Sequence, residues 1–190
     1  MPRDVLDYLV WEMGQAFDTL FHNLKDLDDA DWTWIPPGGA RSISAIVGHL
    51  ASSKVMYDNH AFGDGTLMWE DDAAWAALVG EGIVGEGIVG GPHPTSSDRG
   101  LRPEQLFEWL RESHLRVLRN VDALAGDDEL QKPRPVNWGG ARETRWIITR
   151  LIHHDGYHAG EINHLRSIHH ADDRWEWEKW EDEHRDDAGA

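Results

Sequence analysis

Residues 151–166 read LIHHDGYHAGEINHLR and hold four histidines, at positions 153, 154, 158 and 164. Imidazoles bind borderline divalent cations, move protons near neutrality, and form hydrogen bonds when buried. Spacing sorts the four. At about 100° per residue, Ile147, Leu151, Ile162 and Leu165 define an apolar stripe on one helix. His154 and His158 fall near the centre of that stripe, whereas His153 and His164 project away from it. His169 returns towards the stripe at the end of the segment. Residues four apart stack on one face with Cβ atoms about 5–6 Å apart, so two imidazoles can converge on one ion at about 2.0–2.1 Å each. A third ligand must then come from another helix. His49 is the candidate, on the edge of a face set by Ile43, Ile46, Leu50 and Tyr57. His60 is close to the same face but falls at the helix end. Spacing alone leaves a second reading open, a pair of buried histidines satisfied by hydrogen bonds.

Other chemistries fit less well. HDGYH differs from the HExxH motif of zinc proteases, because Asp155 is one methylene shorter than glutamate and lies towards the edge of the stripe. Gly156 adds helix cost, although it could allow close backbone approach. There is no cysteine, which removes disulfides, thiolate ligands and a cysteine nucleophile. His22, His93, His114, His169, His170 and His184 read as surface or packing residues.

Four long amphipathic segments must position these groups. The first runs from residue 4 to about 27, with Val5, Leu6, Leu9, Met13, Phe17, Leu20 and Leu24 at spacings of three and four. DLDDADWTWIPPGGARS reads as a connector. Ser42 is a plausible N-cap for a second helix reaching about Phe62. A short helix is expected between Trp69 and Val79. Residues 81–85 and 86–90 repeat the unit EGIVG, read as a surface loop. The third helix starts near Pro103, its inner face outlined by Leu106, Leu110, His114 or Val117, Val121 and Leu124. A connector follows, and the fourth helix spans about 141–169. Strand alternation is scarce, so the expected class is all-α, a four-helix bundle with long connecting loops. Residues 1–170 form the expected domain. Residues 171–190 form an acidic extension with Trp175, Trp177 and Trp180, read as a short helix packing on the bundle or on a second subunit.

The 190 residues suffice for one domain with a core. With 35 acidic against 18 basic residues the net charge is −17, which disfavours nucleic-acid binding. No apolar run is long enough to span a membrane. The N-terminal stretch lacks the features of a secretion signal, so a cytoplasmic location is expected. Twelve histidines and eleven tryptophans are many for this length.

Two segments together resemble the DinB/YfiT-like metal-binding four-helix bundles. WTWIPPGGARSISAIVGHLASSK, residues 32–54, supplies an aromatic, a Pro-Pro-Gly turn, a Ser-Ile helix start and a His-Leu-Ala. LIHHDGYHAGEINHLR supplies His, three residues, His, then a small residue, Gly, Glu and a following Leu-Arg. The resemblance extends over residues 4 to about 169. It implies a divalent metal, commonly zinc or nickel, held by His49, His154 and His158, with a position left open. Relatives place a low-molecular-weight thiol such as bacillithiol or mycothiol there; the metal lowers its pKa and the thiolate attacks an electrophile. The chain departs from the family at Glu161, where glutamine is frequent, and at His154, where mycothiol-dependent isomerases tend to place glutamate. Glu161 could accept a ring N–H or act as a catalytic base; a surface salt bridge with Arg166 or Arg150 is the alternative. Tyr157 lies off the stripe and carries less weight.

The expected function is a metal-dependent thiol transferase acting on small electrophiles. A metal-binding stress or sensor protein without turnover and a metal-dependent hydrolase are the alternatives. A homodimer is expected, since relatives associate through bundle helices and so many tryptophans exceed what one small core hides.

Overall fold

The computed structural model of the chain describes residues 3–39, 41–63 and 102–172. Within them the apolar spacing becomes helix. α1 runs Asp4–Leu24 and buries Leu6, Met13, Leu20 and Leu24. It stops three residues short of expectation because Lys25 is extended and Asp26 takes a left-handed φ of 58°. The following connector contains a one-turn helix, α2, Asp29–Thr33, closed by a reciprocal capping box between Asp28 and Asp31. α3 runs Ile43–Ala61, and the Ser42 side chain caps it by accepting from the Ala45 N–H. α4 runs Pro103–Asp122 with its proline in the first turn. α5 runs Thr144–His170 and ends where Ala171 turns left-handed.

Side-chain pairs fix how the four long helices lie. Arg3 with Asp122, Phe17 with His114 and Phe21 with Phe107 run α1 antiparallel to α4. His49 with His158, Lys54 with Asp155 and Tyr57 with Arg150 run α3 antiparallel to α5. Lys54 with His114 and Asp58 with Asn120 run α3 parallel to α4. Parallel neighbours cannot be joined by a tight turn, and the chain between α3 and α4 is accordingly long, residues 62–102. The result is an all-α four-helix bundle with α1 and α5 on one side and α3 and α4 on the other.

The connector before α5 holds short elements of its own. A 3-10 turn spans Asp127–Gln131, and Pro133–Pro135 pairs antiparallel with Ala141–Glu143. Its tip turns through Gly139 and Gly140, both at positive φ (94° and 77°). Asp127 caps α1 from a distance, its carboxylate accepting the Leu6 N–H at 2.9 Å. The expected helix at 69–79, the repeat at 81–90 and the tail from 173 onward lie outside the described residues. Among the described residues no helix is long and apolar enough to cross a membrane.

The core divides in two. One cluster gathers Leu20, Ile46, Leu50, Leu106, Leu110 and Ile162; the other gathers Leu6, Met13, Val117, Val121, Ile147 and Leu151. Between them each long helix contributes one different kind of side chain: Phe17, Lys54, His114 and Asp155. Lys54 donates to Asp155 Oδ2 at 2.6 Å, and its Nζ lies 3.4 Å from His114 Nδ1. His114 stacks on Phe17 with ring centroids 3.9 Å apart. Lys54 and Asp155 are only 1% and 2% exposed, so the pair is a fully buried salt bridge. Burial raises the Asp155 pKa, against the opposing pull of Lys54. Burial and the neighbouring Lys54 push His114 down to about 2, so it is neutral.

A second polar tie closes one end. Asp31 Oδ1 accepts from His169 Nδ1 at 2.9 Å and from His170 Nε2 at 2.6 Å, and Trp34 stacks on His169. These two histidines pin the end of α5 to α2, a packing role across 138 residues of sequence.

Breaking the mid-bundle pair on one side leaves a buried charge without its partner, which costs about 3–5 kcal/mol. Lys54→Met should therefore destabilise the metal-free protein by about that amount in urea titration. Lys54→Met combined with Asp155→Leu should recover most of the loss. A single variant no worse than the double would show that the pair does not constrain the fold. At Asp31, burial raises the pKa, but the bonds from His169, the Asp28 backbone and His170 outweigh it and hold the carboxyl below its usual value. A lowered folded-state pKa stabilises fully above the ordinary carboxylate range and fades as pH falls through the folded value. Asp31→Asn should thus cost about 1 kcal/mol at pH 7. The gap to wild type should close below about pH 4, and a gap unchanged at pH 3 would contradict the assignment.

Candidate metal centre

His49, His154 and His158 meet on the seam between α3 and α5. The His49 and His154 Nε2 atoms lie 3.0 Å apart, and those of His154 and His158 lie 3.2 Å apart. The three rings are mutually near-perpendicular, with centroids 4.6–5.1 Å apart. This is the trio that the helix faces single out, and the structure brings all three together.

Hydrogen bonding explains the cluster poorly. Each Nε2 has either one proton or one lone pair, so His154 Nε2 can satisfy only one of its two close neighbours. A cation accounts for the convergence better. Ligand nitrogens at about 2.0–2.1 Å from one ion are about 3.3 Å apart in a tetrahedron and about 2.9 Å apart at adjacent octahedral positions. The observed separations fall in that interval. The donor set fits as well: three neutral imidazoles suit zinc, nickel and their neighbours.

The protonation states agree. Burial, together with the charges of His158, His49, Lys54 and Arg150, pushes His154 down to about 3. Burial also lowers His158, against Glu161, which favours its charged form. Both rings are held neutral, the form a cation requires. The His158 Nδ1 atom lies 2.7 Å from Glu161 Oε2. Donation from Nδ1–H to that carboxylate leaves the Nε2 lone pair aimed into the cluster. Glu161 thus takes up the ring, three residues along α5. Its alternative partners are occupied elsewhere or absent from it, since Arg166 donates to the carbonyls of Asn23 and Lys25.

Three readings of single residues change. Asp155, placed by the helix wheel near the stripe edge, is buried and pairs with Lys54, and it is not one of the three converging groups. Gly156 faces open space, and a Cβ there would meet nothing within 4 Å, so close backbone approach is not its role. His153 and Tyr157, both off the apolar stripe, line a cavity of about 430 Å³ beside the three imidazoles, together with Arg41 and Arg150. A wheel scored on hydrophobicity finds the buried face of a helix and passes over side chains that wall an open cavity. His60 turns back to the Met56 carbonyl and does not join the cluster.

Asp31, His169 and His170 form a second group with ligand-type atoms close together. There one nitrogen of each ring, His169 Nδ1 and His170 Nε2, has its acceptor in the Asp31 carboxylate, so hydrogen bonding accounts for the arrangement without a cation.

No curated protein matches the chain. The family model of the DinB superfamily matches residues 12–162, an interval that holds α3, most of α5 and all three converging histidines. A match over that share of the sequence, on a helical bundle with this topology, places the chain in the DinB superfamily.

Proposed function

We propose that the chain binds one divalent cation through His49, His154 and His158, and that it uses the bound ion to activate a low-molecular-weight thiol against small electrophiles. The observation that carries this reading is the convergence of three Nε2 atoms beside a cavity. No fourth donor from the described residues joins them. A storage or structural site is closed by protein ligands, whereas a catalytic one keeps a position open. That difference favours the enzyme over a sensor without turnover.

A cation held there would supply Lewis acidity, lowering the pKa of a thiol in the open position. The chain's own residues do the rest. His154 and His158 present lone pairs from one helical face, and His49 presents the third from α3. Glu161 is a positioning residue: its carboxylate fixes the tautomer and orientation of His158, and it is not among the groups lining the cavity. In the transfer step the thiol S–H gives up its proton to solvent, the sulfur lone pair forms the new carbon–sulfur bond, and the leaving group departs with its bonding electrons. A chain without cysteine fits a sulfur supplied by a small molecule such as bacillithiol or mycothiol.

Protein purified without an affinity tag should contain about one equivalent of zinc or nickel by elemental analysis. His49→Ala, His154→Ala and His158→Ala should each lose most of it while keeping the helical circular-dichroism spectrum. Full metal content in any one of them would remove that residue from the site. Glu161→Gln should retain the fold and weaken metal affinity by about 10–100-fold. Turnover is tested separately, with bacillithiol, mycothiol and glutathione offered against a chromogenic aryl halide. Acceleration that requires the metal supports the transferase. Rates equal to those of metal-free protein with all three thiols leave the chain a metal binder without this activity.

A further inference from the structure

The cavity wall contradicts the charge of the rest of the chain. With 35 acidic and 18 basic residues, a surface patch drawn at random is acidic. Beyond the three imidazoles the described residues of this wall are Arg41, Arg150, His153 and Tyr157, with no carboxylate among them. Glu161, the carboxylate that touches the cluster, is engaged by His158. Neither arginine forms an ion pair with a described carboxylate.

The two arginines reach the cavity from different parts of the chain. Arg150 sits one turn before His154 on α5, so Arg150, His154 and His158 form one row at spacings of four. Its guanidinium also lies close enough to Tyr57 of α3 to act on that phenol across the seam. Arg41 immediately precedes the Ser42 cap of α3. Both lie close enough to the imidazoles for their charges to act on them, Arg41 on His158 and Arg150 on His154. Both arginines are exposed at the mouth of the cavity, and two guanidinium groups facing a site that would also hold a cation concentrate positive charge there, which is unfavourable until an anion enters. Guanidinium forks match planar or tetrahedral oxyanions by paired N–H donation.

Resting on the metal-site reading, we propose that Arg41 and Arg150 form an oxyanion subsite, so that the small molecule taken by this cavity carries a carboxylate or phosphate group held by the arginines while its reactive atom reaches the three imidazoles. The subsite sets which thiols and electrophiles enter; the imidazoles set what happens to them.

The test uses cobalt-substituted protein and three thiols of similar size and different charge: 3-mercaptopropionate, 2-mercaptoethanol and cysteamine. Thiolate-to-cobalt absorption reports binding at the ion. The anionic thiol should bind at least about tenfold tighter than the neutral one, and the cationic thiol weakest. Arg41→Gln with Arg150→Gln should flatten the series while metal content and circular dichroism stay unchanged. Calorimetry of the zinc-loaded protein with succinate and with glycerol 2-phosphate then separates carboxylate from phosphate preference. Each is expected to lose about tenfold or more in the double variant if it is the anion recognised. Equal thiol affinities, or a series that the double variant leaves intact, would overturn the subsite while leaving thiol activation standing. Thiolate absorption absent with all three, alongside arginine-dependent succinate or glycerol 2-phosphate binding, would do the reverse. Anion binding unaffected by the double variant would also remove the proposal.

Discussion

The salt bridge between Lys54 and Asp155 constrains everything built around it. It crosses from α3 to α5 at mid-bundle, with both groups buried. A charge pair this deep adds little net stability, because desolvation offsets most of the attraction. It penalises every arrangement that separates the partners. The candidate ligands sit at fixed offsets from it. His49 precedes Lys54 by five residues, and Asp155 stands between His154 and His158. Slipping α5 by one residue relative to α3 would rotate its side chains by about 100°, expose or orphan Asp155, and carry both imidazoles away from His49. The pair therefore acts as a register pin for the three-histidine cluster without touching it.

The pin works because the rest of the layer is neutral and close-packed. His114 has no charge to compete for Asp155, since burial and Lys54 hold it deprotonated. Phe17 covers it from α1. Apolar clusters above and below exclude water. The two halves of the core supply the hydrophobic stabilisation, and the layer between them supplies alignment. Arg116 and Asn120 on α4 bind Asp58 one turn beyond Lys54, repeating the device along the α3–α4 seam.

What the sequence revealed follows the same division. α1 and α4 each bury one face, so their apolar spacing marks both helix and orientation. The capping serine at 42 and the proline at 103 are local signals with local causes, and both were legible. The histidine trio was legible because two members lie near the centre of an apolar stripe and the third at the edge of another. Lys54 and Asp155 were not, because a charged residue is exposed in most helices and only the partner, 101 residues away, makes burial tolerable. The clasp of His169 and His170 on Asp31 depends on α2, a single turn in a stretch that reads as connector. The hairpin at 133–143 is too short, and too rich in proline and glycine, to show alternation. Arg41 and Arg150 carried no signal at all: a cavity wall is defined by what faces it across the bundle.

Charge distribution links the layer to the site. Three positive groups, Lys54, Arg41 and Arg150, surround the imidazoles or lie one layer below, and each favours the neutral state of one of them. Two carboxylates are admitted to the neighbourhood, and each is bound to a specific partner: Asp155 to Lys54, and Glu161 to His158. The first keeps the buried lysine from acting as a bare charge on the cluster. The second favours a proton on Nδ1 of His158 and so directs the opposite nitrogen inward. An acidic exterior attracts cations from solution, whereas this interior accepts one only through unprotonated nitrogen. Burial supplies that condition, and a bound cation would face two arginines with no free carboxylate lining the cavity among the described residues. Among the described residues none of the chain's many acids lines the cavity, and under the proposed subsite the balancing negative charge comes from the molecule that enters.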